Sequence, residues 1–249
     1  MQPPVFYAPL KSIENELVTL SAQESKHAAR VLKLKKGSIV IIIDGVGNGY
    51  RGGITKISRS KIVEVKIHAQ IRNFGEPNHI VTLASGLSTA YKFDSIIEKG
   101  TELGIKRFVP LITEKSKIKL DDPKRVQNKL TRYNKVALSA AKQCRRSYIP
   151  EISNPIKFAD FMKEIDDQST NLIFHPDKLS TQLSKEIFTN PYKRITLIVG
   201  PESGFSDTEL ELAKDKNILS IHLGKRILRT ETAGPTVTAL TMNYLDEFR

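Results

Sequence analysis

The chain has 249 residues, long enough for two domains, and 39% of them are apolar, which favours a folded core over disorder. Its 39 Lys and Arg exceed its 27 Asp and Glu, and the formal net charge of +12 points to a polyanionic partner such as nucleic acid. A basic surface that only solvates the protein is the alternative. The single cysteine, Cys144, excludes an internal disulfide and a zinc site built from cysteines.

No stretch approaches the roughly eighteen uninterrupted apolar residues of a membrane-spanning helix. The first ten residues, MQPPVFYAPL, lack the charged and then apolar order of a secretory signal peptide. We therefore expect a soluble, cytoplasmic protein, and the single cysteine fits a reducing compartment.

Strand-like patterns dominate up to about residue 74. Apolar runs or alternations occur at Ser38–Asp44, Ile54–Ile57 and Ile62–Ile71, with glycine turns between them, which is typical of a small β-barrel. The glycines of Gly45–Gly53 (GVGNGYRGG) resemble a phosphate-binding loop only superficially, because a strand and not a helix follows them. A flexible hairpin is the preferred interpretation.

A short helix is predicted before these strands, over Ser21–Leu34. Ser21 is its expected amino-terminal cap, and Glu24 three residues later would complete a capping box. Residues 1–74 contain twelve Lys and Arg and five Asp and Glu, a net charge of +7. The basic charge is therefore concentrated in this first part of the chain.

Strands and helices alternate after Phe74–Asn78, which we interpret as a linker. The clearest helix is Lys124–Arg146, whose apolar residues recur at helical spacing on one face. Such alternation predicts an α/β fold with a largely parallel sheet covered on both faces. The predicted strands are Ile80–Ala84, Phe108–Ile112, Asn171–Phe174, Ile195–Val199 and Ile218–Leu223.

The loop Gly200–Gly204 (GPESG) lies between an apolar strand and a strong helix start. Ser206, Asp207 and Glu209 supply a cap, a first-turn acid and a capping-box partner. Glycines here would let a ligand approach the main chain, although an ordinary strand-to-helix turn has the same composition. No Lys-Ser/Thr pair follows, which argues against a nucleotide-hydrolysing loop.

A second polar loop, Leu223–Thr232 (LGKRILRTET), follows the last predicted strand and brings Arg226 and Arg229 close to Glu231. A solvated charge cluster is the usual meaning of such a run. However, ligands of open α/β sheets bind at the carboxyl ends of strands. We therefore predict that both loops wall one pocket.

Several segments form a pattern whose strength lies in their order and spacing, and which covers the whole chain. They are GPESGF, LGKRILRTETA, Glu98–Gly104 (EKGTELG), Glu114–Lys115, Gln143–Arg145 (QCR), His27–Lys33 (HAARVLK) and Lys36–Gly37. Together they resemble a known family, the SPOUT-class methyltransferases that modify uridine N3 in small-subunit ribosomal RNA.

The resemblance implies a PUA-like RNA-binding barrel at 1–74 and a SPOUT methyltransferase domain at 75–249 whose carboxyl-terminal part forms a trefoil knot. It implies a homodimer that binds S-adenosylmethionine and methylates a decoding-region uridine of 16S RNA in the small ribosomal subunit. By position, the cofactor site would comprise Phe174, His175, Pro176, Ile198, Val199, Gly200, Pro201, Glu202, Gly204, Leu219, Leu223, Gly224, Ile227, Leu228 and Ala233.

Three positions depart from the family's pattern. Ser203 replaces a glycine, Cys144 directly precedes Arg145 without the usual intervening glycine, and Gly234–Pro235 interrupts the start of the last helix. Because proline cannot donate a backbone hydrogen bond, we expect that helix to begin late.

The implied chemistry needs two functions, since uridine N3 is a poor nucleophile until its proton leaves. A general base could take the proton, and a cation could stabilise the uracil anion at O2 or O4. Glu231 and Arg229 are our candidates. Glu231 could equally orient Arg229, and Glu202 lies on the facing loop.

Basic residues at two places are expected to contact RNA phosphates, which would set affinity and its salt dependence but not sequence choice. These residues are Arg30, Lys33, Lys35, Lys36, Arg145 and Arg146.

No histidines have metal-ligand spacing, so no metal is expected. Two other functions stay open. A dinucleotide-dependent oxidoreductase is disfavoured because no G-x-G-x-x-G turn follows the strand at Ile80–Ala84, whereas a non-catalytic ribosome-associated RNA-binding protein would need only the basic barrel.

Overall fold

A computed structural model describes residues 2–88, 92–116, 122–176, 180–189 and 194–248. The chain divides into two compact units. The first contains the residues up to Glu76 together with Leu138–Ile149, and the second contains Pro77–Ala137 and the residues from Pro150 onward. The functional boundaries expected at residues 74 and 75 stay a prediction.

The first unit is built on a six-stranded sheet in the order β1-β4-β5-β6-β3-β2. Only β1 and β4 pair in parallel, and the other neighbours are antiparallel. Phe6, Ile42 and Val65 lie among the buried apolar side chains that form its core. The strands are β1 (Val5–Tyr7), β2 (Ile13–Glu14), β3 (Leu17–Thr19), β4 (Ile39–Ile43), β5 (Asn48–Ile57) and β6 (Val63–Arg72).

The glycine-rich stretch before Ile54 is strand rather than hairpin loop, because β5 begins already at Asn48. A Cβ on Gly52 would collide with the Lys66 carbonyl and the Val65 side chain of β6. The predicted hairpin is present, since β4 and β5 pair antiparallel with Ile43 opposite Gly49, but most of the stretch is paired strand and only its first residues form the connecting turn. Gly52 allows two strands to approach closely.

The predicted first helix is shorter and less regular than expected. An α-helix, α1 (Ala22–Lys26), is followed by a π-helical turn from His27 to Val31. The Ser21 hydroxyl accepts the Glu24 N–H at 3.2 Å, as predicted for the cap. The Glu24 carboxylate forms an ion pair with Lys142 at 2.5 Å instead of closing the capping box.

The second unit contains a parallel sheet in the order β10-β8-β7-β13-β11-β14-β12, and β9 pairs with β8. The predicted α/β class is confirmed. Its strands are β7 (Ile80–Gly86), β8 (Arg107–Ile112), β9 (Glu151–Ile152), β10 (Ile156–Lys157), β11 (Thr170–Phe174), β12 (Thr181–Gln182), β13 (Arg194–Val199) and β14 (Leu219–His222). The remaining α-helices are α2 (Lys92–Glu102), α3 (Pro123–Cys144), α4 (Phe158–Glu164), α5 (Asp207–Asp215) and α6 (Thr230–Tyr244).

The last helix does not begin late, contrary to expectation. It starts at Thr230 and carries Pro235 in its second turn. Gly234 is buried and lies next to Ile96, where α6 packs against α2. The Thr238 hydroxyl donates to the Gly234 carbonyl at 2.8 Å. Pro235 cannot donate the backbone hydrogen bond to the Glu231 carbonyl, so the helix lacks one hydrogen bond at this position.

No helix in the described part of the chain is long and apolar enough to span a bilayer. The trefoil knot implied by the family resemblance stays a prediction.

Candidate functional site

Three neighbouring parallel strands of the second unit end at one pocket. The register aligns Phe174 of β11 with Val199 of β13 on one side and with Ile221 of β14 on the other. All three residues line a pocket of about 290 Å³. β11 lies between β13 and β14 in the sheet, and its own continuation, His175 and Pro176, lines the pocket together with the two motif loops that follow β13 and β14.

The loop after β13 is held by a buried carboxylate. Ser206 caps α5 and accepts the Glu209 N–H at 3.1 Å, while Glu209 Oε2 accepts the Ser206 N–H at 2.8 Å. The second oxygen of Glu209 accepts the N–H of Glu114, in the loop after β8, at 2.9 Å. Glu209 is only 2% exposed, so one carboxylate joins two loops and satisfies two backbone donors.

Two further hydrogen bonds join the same loops. The Lys115 ammonium donates to the Phe205 carbonyl at 2.7 Å, and the Ser203 hydroxyl donates to the Lys115 carbonyl at 2.8 Å. Glycine, the residue expected at position 203 from the family resemblance, could not form the second bond. The departure at Ser203 therefore adds a contact that holds the loop in place.

The loop after β14 turns at Gly224, whose φ of +88° favours glycine. Its N–H donates to Nδ1 of His222 at 3.1 Å. At the end of this loop, the Thr230 hydroxyl donates to the Gly200 carbonyl at 3.1 Å. Thr230 therefore ties the amino end of α6 to the loop after β13, and both loops wall the same pocket as predicted.

Charged side chains gather beside this pocket. The Lys92 ammonium donates a hydrogen bond to the Glu202 carboxylate and lies 3.8 Å from Oε1 of Glu231. The hydrogen bond to Glu202 is the main cause that raises the pKa of Lys92, and the charges of both carboxylates add to it, whereas desolvation and nearby Arg229 oppose it. Arg229 itself is exposed and occupies the capping position of α6.

Comparison with known proteins identifies the chain. The RNA methyltransferase domain family matches residues 76–242, and the RNA methyltransferase PUA domain family matches residues 20–67. The chain belongs to the RNA methyltransferase family. The first match contains the whole pocket, and the second lies within the first unit.

Curated members of this family are similar over most of their length. Ribosomal RNA small subunit methyltransferase E of Synechocystis is 32% identical over 242 residues, covering 96% of this chain and 77% of the relative. The protein of the same name from Buchnera aphidicola subsp. Acyrthosiphon pisum is 33% identical over 236 residues, covering 93% of this chain and 90% of the relative.

Two solved structures share the fold over nearly the full chain. Ribosomal RNA small subunit methyltransferase E of Neisseria gonorrhoeae, bound to S-adenosyl methionine, superposes with a TM-score of 0.85 at 26% identity, covering 97% of this chain and 98% of that one. A Legionella pneumophila methyltransferase in complex with the same cofactor gives 0.84 at 28% identity, covering 98% of each.

Two of the residues predicted for the cofactor site lie outside the pocket of this methyltransferase. The Ile198 side chain is buried in the apolar core, since alternate residues of a strand face opposite sides. Leu219 begins β14, two positions before the pocket residue Ile221. The other predicted positions all line the pocket, namely Phe174, His175, Pro176, Val199, Gly200, Pro201, Glu202, Gly204, Leu223, Gly224, Ile227, Leu228 and Ala233.

Sequence reasoning missed several lining residues that are interleaved with the predicted ones. Only positions carried over from the motif match were named, although each missed residue belongs to or borders the same segments. Nothing in the sequence indicates that Lys92 belongs to the site, because only the packing of α2 against α6 brings it near Glu231. The missed lining residues are Ser203, Phe205, Ile221, Arg226 and Thr230.

Arg146 does not fit its predicted role in RNA binding. It is 3% exposed and its guanidinium forms an ion pair with the buried Glu76 at 2.8 Å. Reaching a phosphate would break this pair and leave a buried carboxylate without its charge partner. Arg145 is half-buried, and it donates to the Pro3 carbonyl at 2.8 Å and lies over the Phe74 ring.

The other predicted RNA contacts are accessible. Arg30, Lys33, Lys35 and Lys36 are all exposed in the first unit. Among the described residues, no three His, Cys, Asp or Glu side chains cluster in a way that could hold a metal ion. The expectation that the protein needs no metal stays a prediction.

Proposed function

We propose that this methyltransferase transfers a methyl group from S-adenosylmethionine to N3 of a decoding-region uridine in 16S RNA of the small ribosomal subunit. The observation that carries the proposal is the pocket at the ends of β11, β13 and β14, within a family domain whose Neisseria and Legionella members bind this cofactor. The names of the curated relatives support ribosomal RNA of the small subunit as the substrate.

The pocket suits the proposed cofactor. Its volume of about 290 Å³ is near the lower end of the range of about 300–1,000 Å³ for small-molecule sites. Gly204 and Gly224 have positive φ angles, and a Cβ on either would meet no atom within 4 Å, so the main chain borders open space at both turns. Apolar walls such as Val199 and Ile221 suit a purine, and Glu202 offers a carboxylate to hydroxyl or cationic groups.

The donor supplies a methyl group on a sulfonium, already activated for transfer. The protein must therefore hold the acceptor in line and manage one proton. The new N–C bond forms as the methyl–sulfur bond breaks, and the electron pair of the broken bond stays on sulfur. We assign the N3 proton to Glu231 and stabilisation of charge at the uracil oxygens to Arg229.

RNA binding is assigned to residues 1–74 as the PUA-like domain, with the exposed Arg30, Lys33, Lys35 and Lys36 contacting phosphates. Residues 75–249 would form the SPOUT methyltransferase domain. The family match at residues 20–67 and the net charge of +7 over residues 1–74 support this assignment. A homodimer and a knotted carboxyl-terminal part, both carried over from the family resemblance, complete the proposal together with the cytoplasmic location expected from the composition.

The test is to incubate small subunits that lack the modification with protein and labelled S-adenosylmethionine, followed by nucleoside analysis. N3-methyluridine is the expected product, and free 16S RNA in a parallel reaction shows whether the assembled subunit is required. A different methylated nucleoside would contradict the proposed specificity. Calorimetry completes the test, because tight RNA binding without any S-adenosylmethionine binding would favour a non-catalytic RNA-binding protein.

A further inference from the structure

We propose that Lys92 is a positioning residue for the methyl transfer. Its ammonium, 3.8 Å from Oε1 of Glu231, attracts this carboxylate and fixes its orientation beside the pocket, where the carboxylate takes the proton from the acceptor nitrogen. This inference deepens the proposed function and rests on it.

Three separate elements of the second unit bring these charges together. Lys92 lies at the amino end of α2, Glu202 lies in the loop after β13, and Glu231 lies in the first turn of α6. Close packing of α2 on α6, where Gly234 meets Ile96, sets the distance between the two helix starts. The position of the ammonium is therefore determined by rigid elements as well as by the loop.

Charge explains why a cation is needed at this point. Glu202 and Glu231 both approach the same ammonium, and without it two carboxylates would repel each other beside the pocket. The side chains of Lys92 and Glu231 are 32% and 22% exposed, so water screens their interaction only in part.

The state of the Glu231 carboxylate points to a missing donor. Its Oε2 atom is covered and has no hydrogen-bond partner among the described residues. A covered carboxylate oxygen without a donor is unfavourable, so a rotation of the Glu231 side chain that brings this oxygen to the N–H of a ligand is favoured. Glu231 directly follows the pocket residue Thr230, and N3 of uridine carries the one proton that the reaction must remove.

The experiment compares Lys92→Met, Lys92→Arg and Glu231→Gln with the unchanged full-length protein on unmodified small subunits. Lys99→Met is the matched control, because Lys99 lies on the same helix and also pairs with a glutamate, Glu102, but away from the pocket. Both methionine variants remove one positive charge, so a general loss of attraction to RNA affects them equally.

For Lys92→Met we expect kcat to fall about 10- to 100-fold, less than the full range of general acid–base catalysis because Glu231 is still present. The KM for the subunit and the affinity for S-adenosylmethionine should stay within about threefold, and arginine should restore most of kcat. Adding Lys92→Met to Glu231→Gln should cost little more than Glu231→Gln alone, since one residue acts through the other.

Three results would overturn the proposal. Lys92→Met could have the same kcat as Lys99→Met, or it could raise only the KM for the subunit. In the double variant, the loss of kcat could equal the product of the losses in Lys92→Met and Glu231→Gln, which would mean that the two residues act independently. In each case the unchanged protein still methylates, so the proposed function stands. If the unchanged protein transfers no methyl group, the proposed function and this role of Lys92 are both wrong.

Discussion

Replacing Glu209 by alanine should loosen the pocket without touching any lining residue. The substitution removes the acceptor of two N–H groups, the buried one of Ser206 at 2.8 Å and the part-buried one of Glu114 at 2.9 Å. A hydrogen bond to a charged group contributes about 1.5–3 kcal/mol, so losing both should destabilise the two loops locally by roughly 3–5 kcal/mol. Glu209→Gln, which keeps one acceptor oxygen, should lose about half of this.

Amide hydrogen exchange measures the local stability of the two loops directly. A global unfolding experiment is less suitable, because a chain with two compact units need not unfold in one transition. The amides of Ser206 and Glu114 should exchange roughly 100-fold faster or more in Glu209→Ala, since every 1.4 kcal/mol changes an equilibrium about tenfold. Affinity for S-adenosylmethionine should fall in parallel. Glu211, which is exposed on the same helix, provides the control as Glu211→Ala.

Unchanged exchange at both amides in Glu209→Ala, with unchanged cofactor affinity, would refute the reasoning. It would mean that the loop Gly200–Gly204 keeps its shape through two other hydrogen bonds alone, from Lys115 to the Phe205 carbonyl and from Ser203 to the Lys115 carbonyl. Faster exchange without any loss of affinity would show that the loop is held by Glu209 but does not shape the binding site.

Four further substitutions test the other assignments. Arg229→Ala should lower methylation at least about 100-fold with cofactor affinity unchanged, and turnover within a few fold of the unchanged protein would exclude charge stabilisation by this residue. Arg146→Met should destabilise the first unit by about 3–5 kcal/mol, because Glu76 keeps a buried charge without its partner, and a urea titration that follows the first unit would measure it. Lys33→Ala and Lys36→Ala should leave that titration unchanged but weaken RNA binding. Each should make the slope of the logarithm of the binding constant against the logarithm of the salt concentration shallower by about one. A slope equal to that of the unchanged protein would show that these lysines do not contact phosphates.

The parallel sheet was predictable because its strands are short apolar runs bounded by polar loops. Asn171–Phe174 and Ile195–Val199 each match an observed strand to within one residue at the start. The stretch before Ile54 was not predictable in this way, since its glycines suggest a turn. Only the neighbouring strand β6, which leaves no room for a Cβ at Gly52, makes glycine a requirement of the sheet.

The basic residues show the same limit. Lys36 and Arg146 look equally suited to phosphate binding in the sequence, because both belong to short basic runs. One is exposed, whereas the other is enclosed with Glu76. No local pattern separates them, since burial depends on a partner seventy positions away in the chain.

The amino-acid sequence by itself determined the class of fold, the two glycine-containing loops and their place at the ends of strands, because each depends on patterns within about ten residues. The tertiary structure alone decided that β11 lies between the two loops, that Glu209 joins them, and that Lys92 meets Glu202 and Glu231. Strand order and helix packing bring together residues more than a hundred positions apart, and charge and hydrogen bonding act over distance in space rather than along the chain.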